Sequence, residues 1–435
     1  MAAQPDHIDH GHRAISRGSL AVAALSTIVE WYDFTLYLYF ATVLARVFYG
    51  GGAASLAVTL GGFAVAYLMR PLGAVVFGHV GDKLGRRNML LWSVAVMTAA
   101  MLATALLPTH AQIGAAAGWF LFLLRCVMGF SVGGEYSGVV AYLLEGARPS
   151  RRGLIASSAS AASEIGALLA VGVSALTVAS MSEAELAAWG WRIPFFVGAA
   201  LAGSVWIARS TMQESPEYER QVEAGTVPHV PWRHCLANHK LGVFRAFSIS
   251  ALGSITYYVG ITYVPAFLTS SGALGEGESL WLATIAAIAV ILVTPVTGVL
   301  SDRWGRRPVL IVVCLLSAAL PITLFSTMGS GTPLQALGGA IVLACVAGAM
   351  SAVGAVATAE QFPGEGRVSG LAFGATGATA IFGGLTPYVA QVLLERTGEP
   401  AMPGIMIAAV AVVVLPVFLT LPETAPRRAR RLPAT

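Results

Sequence analysis

Apolar runs of about 20 residues or more, about twelve of them, follow one another along nearly the whole chain. Each is long enough to cross a hydrocarbon layer of roughly 30 Å as a helix. They occupy 19–48, 56–77, 89–107, 113–144, 154–180, 191–210, 243–270, 280–300, 309–328, 334–359, 368–394 and 402–421. Backbone polar groups in lipid must be satisfied within the spanning structure, and the runs lack the two-residue alternation of a barrel, so an all-α integral membrane protein is expected. Composition agrees: 56% of residues are hydrophobic and only 11% charged, against roughly 25% charged in a soluble domain.

Basic residues collect in loops that stay in the cytoplasm. Of the 26 lysines and arginines, all but about five fall in alternate loops or tails, among them Arg13, Arg17, Arg148, Arg151, Arg152, the stretch 220–240 and the terminal RRARR. The intervening loops instead hold Glu183, Glu185, Glu276 and Glu278. Both termini are therefore expected in the cytoplasm, with an even number of spans. The net charge of +4 reflects this topology and does not point to nucleic acid. No apolar core precedes the first run, so no cleaved leader is expected. HIDHGH near the N-terminus reads as a solvated tail before a metal site, and Cys126, Cys235, Cys314 and Cys345 have neither metal nor CxxC spacing.

The chain repeats itself. GHVGDKLGRR joins the second run to the third, and GVLSDRWGRR joins the eighth to the ninth. EGARPSRRG follows the fourth run and EQFPGEGRVSG the tenth; a weaker echo pairs ESPEY after the sixth with PET after the twelfth. The expected organisation is a tail 1–18, a six-helix bundle 19–212, a central loop 213–240, a second bundle 241–421 and a tail 422–435. In the repeated loops Gly78, Gly85 and Gly305 allow tight turns. Asp82 and Asp302 can sit at helix N-termini, and Arg86, Arg87, Arg306 and Arg307 can reach Glu145 and Glu360, with Arg367 nearby. A gating or structural role is expected for this set.

The repeated Gly-x-x-x-Asp-[Lys/Arg]-x-Gly-Arg-Arg loop on a six-plus-six chain resembles the major facilitator superfamily. EWYDF in the first run, RPLGAVVFGHVGDKLGRR, GFSVGGEYSG, WGWRIPFF and IFGGLTP together resemble its metabolite:proton symporter family, which carries citrate, 2-oxoglutarate, shikimate, proline and betaines. The resemblance implies two six-helix bundles rocking around a midplane cavity, in accord with the general design of repeat-built transporters.

Ionisable residues inside the membrane are costly and therefore functional candidates. Six stand out: Glu30, Asp33, Arg70, Arg125, Glu135 and Glu164. All lie in the first half. Four acids against two arginines disfavour full ionisation in a buried core, so Asp33, Glu135, Glu30 and Glu164 are the candidate proton carriers. Arg125, Arg70, Tyr32, Tyr257 and Tyr258 are the candidate substrate contacts; for the tyrosines packing competes, and for Arg70 a clamp beside Pro71 competes. The expected mechanism has a carboxylate neutralise Arg125 until protonation frees it for a substrate carboxylate. The GxxxG spacings of Gly129 with Gly133 and Gly134 with Gly138 favour close helix packing.

The reading is a proton-coupled importer of a small organic carboxylate, with a zwitterion such as proline or betaine as the alternative. A drug/proton antiporter and a non-transporting sensor are further rivals. No catalytic constellation marks an enzyme. The proton is the only coupling ion expected, with no cofactor, no nucleic acid, a monomer in the lipid bilayer, and the inner membrane as location.

Overall fold

The structure, a computed structural model, describes residues 15–51, 58–59, 61–62, 65–227, 231–271, 273–274, 276–364 and 366–425. HIDHGH, Arg13 and the RRARR run lie outside these residues.

Among the described residues each apolar run folds as helix and no strand occurs. The first run is α1 (Arg17–Tyr39), continued past Phe40 by α2 (Ala41–Tyr49). The second ends in α3 (Met69–Leu84), the third is α4 (Arg86–Ala105), and the fourth is α5 (Ala116–Val132) with α6 (Glu135–Gly146). The fifth and sixth are α7 (Arg152–Ala179) and α8 (Arg192–Ser210). Two short helices, α9 (Pro216–Glu223) and α10 (Pro231–Asn238), lie in the central connection. The second half runs through α11 (Lys240–Tyr257), α12 (Val264–Ser270), α13 (Glu276–Trp304), α14 (Arg306–Ser330) and α15 (Pro333–Ala359). It finishes with α16 (Arg367–Leu371), α17 (Gly377–Phe382), α18 (Thr386–Thr397) and α19 (Met402–Leu419).

Among the described residues, 9 helical segments are long and apolar enough to cross a membrane. The first, second and seventh runs complete the set of twelve. The first is diluted by Glu30 and Asp33, the second is only partly described, and in the seventh a π-helical turn over Tyr258–Thr262 separates α11 from α12. The acids of the first run and the π-turn of the seventh both fall on elements that carry site residues, as π-turns often do.

In the first half α1 packs along α7 and α8, while α4 packs on α8 and α5. In the second half α13 and α14 pack on α15, and α19 packs on α14. The halves meet where α7 crosses α13 and α15, and where α3 crosses α16. Outside, large apolar side chains such as Trp92, Leu176 and Val413 are exposed, as a lipid-facing surface requires.

The GxxxG expectation has a concrete meaning here. A Cβ on Gly133 would overlap the carbonyl of Arg70, one on Gly129 the carbonyl of Ala66, and one on Gly73 that of Phe130. Backbone thus lies on backbone between the second and fourth runs, which sets the depth and rotation of Arg70. Gly133→Ala is expected to cost about 1–3 kcal/mol, as overpacking of a tight contact does. A lowered unfolding midpoint of the purified protein in detergent would register it.

Candidate functional site

Glu30 and Asp33 lie three residues apart on α1 and share a face turned towards the second and fourth runs. Asp33 accepts two hydrogen bonds from Nη1 of Arg125, at 2.9 and 3.1 Å, and the guanidinium lies 5.1 Å from the centre of the Tyr37 ring. Glu30 Oε1 is 3.4 Å from Nη1 of Arg70, whose guanidinium rests over Tyr67 at 4.6 Å and Phe34 at 5.3 Å. The second ion pair is the looser, and its cation is held largely by ring faces. Tyr32, about a third of a turn away, faces elsewhere: its hydroxyl donates to the Pro194 carbonyl at 2.9 Å, and its ring is buried in the packing between α1 and α8.

Glu135 has a partner that the sequence reading missed. Arg209, at the end of α8, donates through Nη2 to Glu135 Oε1 and Ser26 Oγ, and through Nη1 to the Leu90 carbonyl at 2.7 Å. Ser93 donates to the other Glu135 oxygen. Arg209 is not among the six candidates of the sequence reading because it ends its run, yet it is fully buried. The balance is therefore four acids against three arginines. The acid left over is Glu164, whose Oε1 accepts from the Tyr257 hydroxyl at 2.5 Å and which has no basic partner among the described residues.

Between the halves lies a cavity of about 190 Å³, with Glu30, Trp31, Arg70 and Glu164 in the first-half wall and Tyr257 and Tyr258 opposite, together with several serines and threonines. Tyr258 is hydrogen-bonded to Tyr67 at 2.5 Å, and Ser351 donates to Ser160 at 3.1 Å, so the halves also touch at the cavity. The π-turn begins at Tyr258. Behind Arg70 a second chamber of about 30 Å³ is walled by Glu30, Asp33, Arg70 and Arg125, with Tyr67 and Ala66. Of the residues singled out, Arg70, Glu30, Glu164, Tyr257 and Tyr258 meet at the main cavity. Asp33 and Arg125 face the side chamber, and Glu135 and Tyr32 line neither.

The repeated loops form a double clasp at the end of the molecule where they lie. Gly85 and Gly305 turn with φ of 100° and 109°, a region that favours glycine. Asp82 accepts from the backbone N–H groups of Val368 and Ser369, at 3.3 and 2.8 Å, at the start of α16. Its counterpart Asp302 accepts from Gly153 and Leu154, at 2.8 and 3.0 Å, at the start of α7. Each half thus places a carboxylate on a helix N-terminus of the other. Arg86 pairs with Asp82 at 3.0 Å and Glu145 at 3.3 Å, and Arg306 pairs with Asp302 at 2.8 Å and Glu360 at 3.2 Å. Arg367 reaches Glu145 across the seam at 2.7 Å, and Gly78 lets the backbone of Ser369 approach.

The weak third echo is structural as well. Glu214 caps the backbone N–H groups of Arg86 and Arg87, and Glu423 caps those of Arg306 and Arg307. Ser215 bonds to Glu145, and Thr424 to Glu360. Burial raises the Glu214 carboxyl above the usual range, against the pull of these N–H groups and of Arg86. Helix α10 packs on α3 and α16 beside the clasp. Its Cys235 is fully buried, and burial pushes the thiol up to about 12. Arg367→Ala is expected to raise maleimide labelling of Cys235 about tenfold, for a loss of about 1.4 kcal/mol from the shut state. Mass spectrometry of labelled membranes reads this directly.

Two helical halves shut at one end by a pseudosymmetric clasp, with a charged, aromatic-walled cavity between them, have the form of a membrane carrier. Residues 20–225 match the family described as sugar (and other) transporter, and residues 273–435 match the major facilitator superfamily. The proline/betaine transporter of Salmonella typhimurium is 31% identical over 94% of this chain and 84% of its own length. The citrate-proton symporter of Klebsiella pneumoniae is 31% identical over 89% of this chain and 87% of its own length. In fold, the proton:xylose symporter XylE bound to 6-bromo-6-deoxy-D-glucose superposes with a TM-score of 0.76 at 18% identity, over 94% of this chain and 96% of that one. The chain belongs to the major facilitator superfamily, within its metabolite:proton symporter family. It is a membrane transporter and not an enzyme.

Proposed function

We propose that this transporter is a proton-coupled symporter that imports a small zwitterion, one carboxylate and one cationic nitrogen, by alternating access. In this reading it works as a monomer in the inner membrane, with both termini cytoplasmic. The observation that carries the substrate class is the make-up of the main cavity: one cation, Arg70, against two acids, Glu30 and Glu164, and aromatic walls from Trp31, Tyr257 and Tyr258. A single guanidinium suits a single carboxylate. Ring faces beside an acid suit a cationic nitrogen. The preference for an organic acid, drawn from two arginines along the sequence, gives way because Arg125 lies off the cavity wall. The Salmonella relative, a proline/betaine transporter, accords with the zwitterion reading, and the Klebsiella relative, a citrate-proton symporter, with the organic-acid one.

The partner exchange expected at Arg125 falls instead to Arg70. In the resting protein Glu30 holds Arg70 loosely, at 3.4 Å. A proton on Glu30 cancels that attraction and leaves Arg70 for the substrate carboxylate, so proton and substrate strengthen each other's binding, as linkage requires. Protonating Glu164 breaks no ion pair, which makes it a second site where a proton can enter cheaply. Opening of the clasp then exposes the loaded cavity to the cytoplasm.

The test is uptake into vesicles under an imposed pH gradient, with labelled proline and glycine betaine compared with citrate. Zwitterion accumulation driven by the gradient is the expected outcome. Uptake of citrate alone would replace the substrate class with organic acids, and accumulation indifferent to the gradient would remove proton coupling.

A further inference from the structure

We infer that the small chamber behind Arg70 holds an ordered water that relays the coupling proton from Asp33 to Glu30. The inference rests on the proton-symport reading and adds a path to it. The chamber measures about 30 Å³, and a buried water needs roughly 10–15 Å³ with two to four polar partners. Those partners are present. Three buried polar atoms of its walls have no hydrogen-bond partner among the described residues: Oε2 of Glu30, and Nε and Nη2 of Arg125. Arg125 and Glu30 are 4% and 2% exposed, so bulk solvent does not satisfy these atoms. Buried charged groups left so are rare and costly, and a bridging water resolves them at once.

The chamber also stands in the right place. α1 runs away from the clasp, so Asp33 lies farther from the shut end than Glu30, and the two carboxylates share no hydrogen bond. The titratable groups around the chamber are Glu30 and Asp33 on α1, Tyr67 and Arg70 from the second run and Arg125 from α5, with the Tyr37 ring on Arg125. Asp33 faces the chamber alone, while Glu30 faces both the chamber and the main cavity, so a proton taken up by Asp33 reaches Glu30 through the chamber. The relay then breaks the O–H bond on the Asp33 carboxyl and forms one to the water, while the water passes another of its protons to Oε2 of Glu30. The water is regenerated, Asp33 is again the partner of Arg125, and Glu30 releases Arg70. Two ion pairs that do not touch become one coupled unit.

The test fills the chamber without touching its charges. Ala66 lines it; its backbone carbonyl packs on Gly129, while its side chain takes no part in the charge network. Ala66→Val is expected to leave counterflow of labelled against unlabelled proline unchanged, since exchange needs no net proton movement. Accumulation under a pH gradient should fall by about a hundredfold, the lower end for loss of a positioned proton carrier. Infrared difference spectra on acidification should show a water O–H band that shifts in H2 18O in the wild type and is absent from the variant. Wild-type accumulation by Ala66→Val, or no such band in the wild type, would overturn the relay. If Ala66→Val loses counterflow, and so the fold, Met128→Phe fills the chamber from α5 and is read in the same way. A wild-type protein that accumulates no zwitterion under the gradient overturns the symport reading, and the infrared band still decides the water.

Discussion

A Glu30→Gln transporter is expected to bind zwitterion more tightly at neutral pH than the wild type, and to lose the rise in affinity on acidification. In the wild type the Glu30 carboxylate and the substrate carboxylate compete for one guanidinium, Arg70. Glutamine accepts from Arg70 only as a neutral amide and so competes far more weakly. A charge-assisted hydrogen bond is worth about 1.5–3 kcal/mol, so the gain is about tenfold or more. Coupling is lost with the competition: substrate crosses without a proton, and gradient-driven accumulation falls to simple equilibration. Binding measured at two pH values, with uptake in vesicles alongside, tests both halves of this result. A variant that kept the pH dependence of the wild type would move the exchange away from Arg70.

The second large effect is expected at the neighbouring pair. Asp33→Asn leaves Arg125 buried with the Tyr37 ring and a neutral amide in place of its carboxylate. Removing one partner of a buried pair costs about 3–5 kcal/mol, because the remaining charge is uncompensated. The double variant Asp33→Asn with Arg125→Gln removes both charges, and most of the lost stability should return. Proton-driven accumulation should not. The unfolding midpoint and the accumulation ratio thus separate a structural pair from a working one, since a merely structural pair would recover in both.

The architecture could be read from the chain because two of its signals are long and repeated. Twelve apolar runs specify helices, and the doubled Gly-Asp-Gly-Arg-Arg loop specifies two halves. Even the faint ESPEY and PET echo corresponds to two carboxylates capping the same helix position. The site was legible as a set of residues and not as a geometry. Helical spacing of three placed Glu30 and Asp33 on one face, and the same spacing could have turned Tyr32 away from it. Which arginine faces the main cavity depends on the rotation of the second and fourth runs, and that rotation is set by contact between glycines and the carbonyls of Ala66 and Arg70. No pattern along the sequence encodes it. Arg209 was missed for another reason: an arginine ending an apolar run looks like an interfacial anchor, and only the depth of Glu135, otherwise without a cation, hinted at a partner.

The clasp has a consequence for how the two halves could exist apart. Each half carries two kinds of latch. Glu214 and Glu423 fasten a half to itself, gripping the start of the third helix of the same six. Asp82 and Asp302 fasten a half to its twin, each reaching a helix start in the opposite six. A six-helix chain bearing one of each would fold alone through the first latch and pair face to face with an identical copy through the second. The wiring is the one a symmetric dimer of six-helix chains would need, whereas the charges that line the cavity and its side chamber come from the first half alone among the described residues.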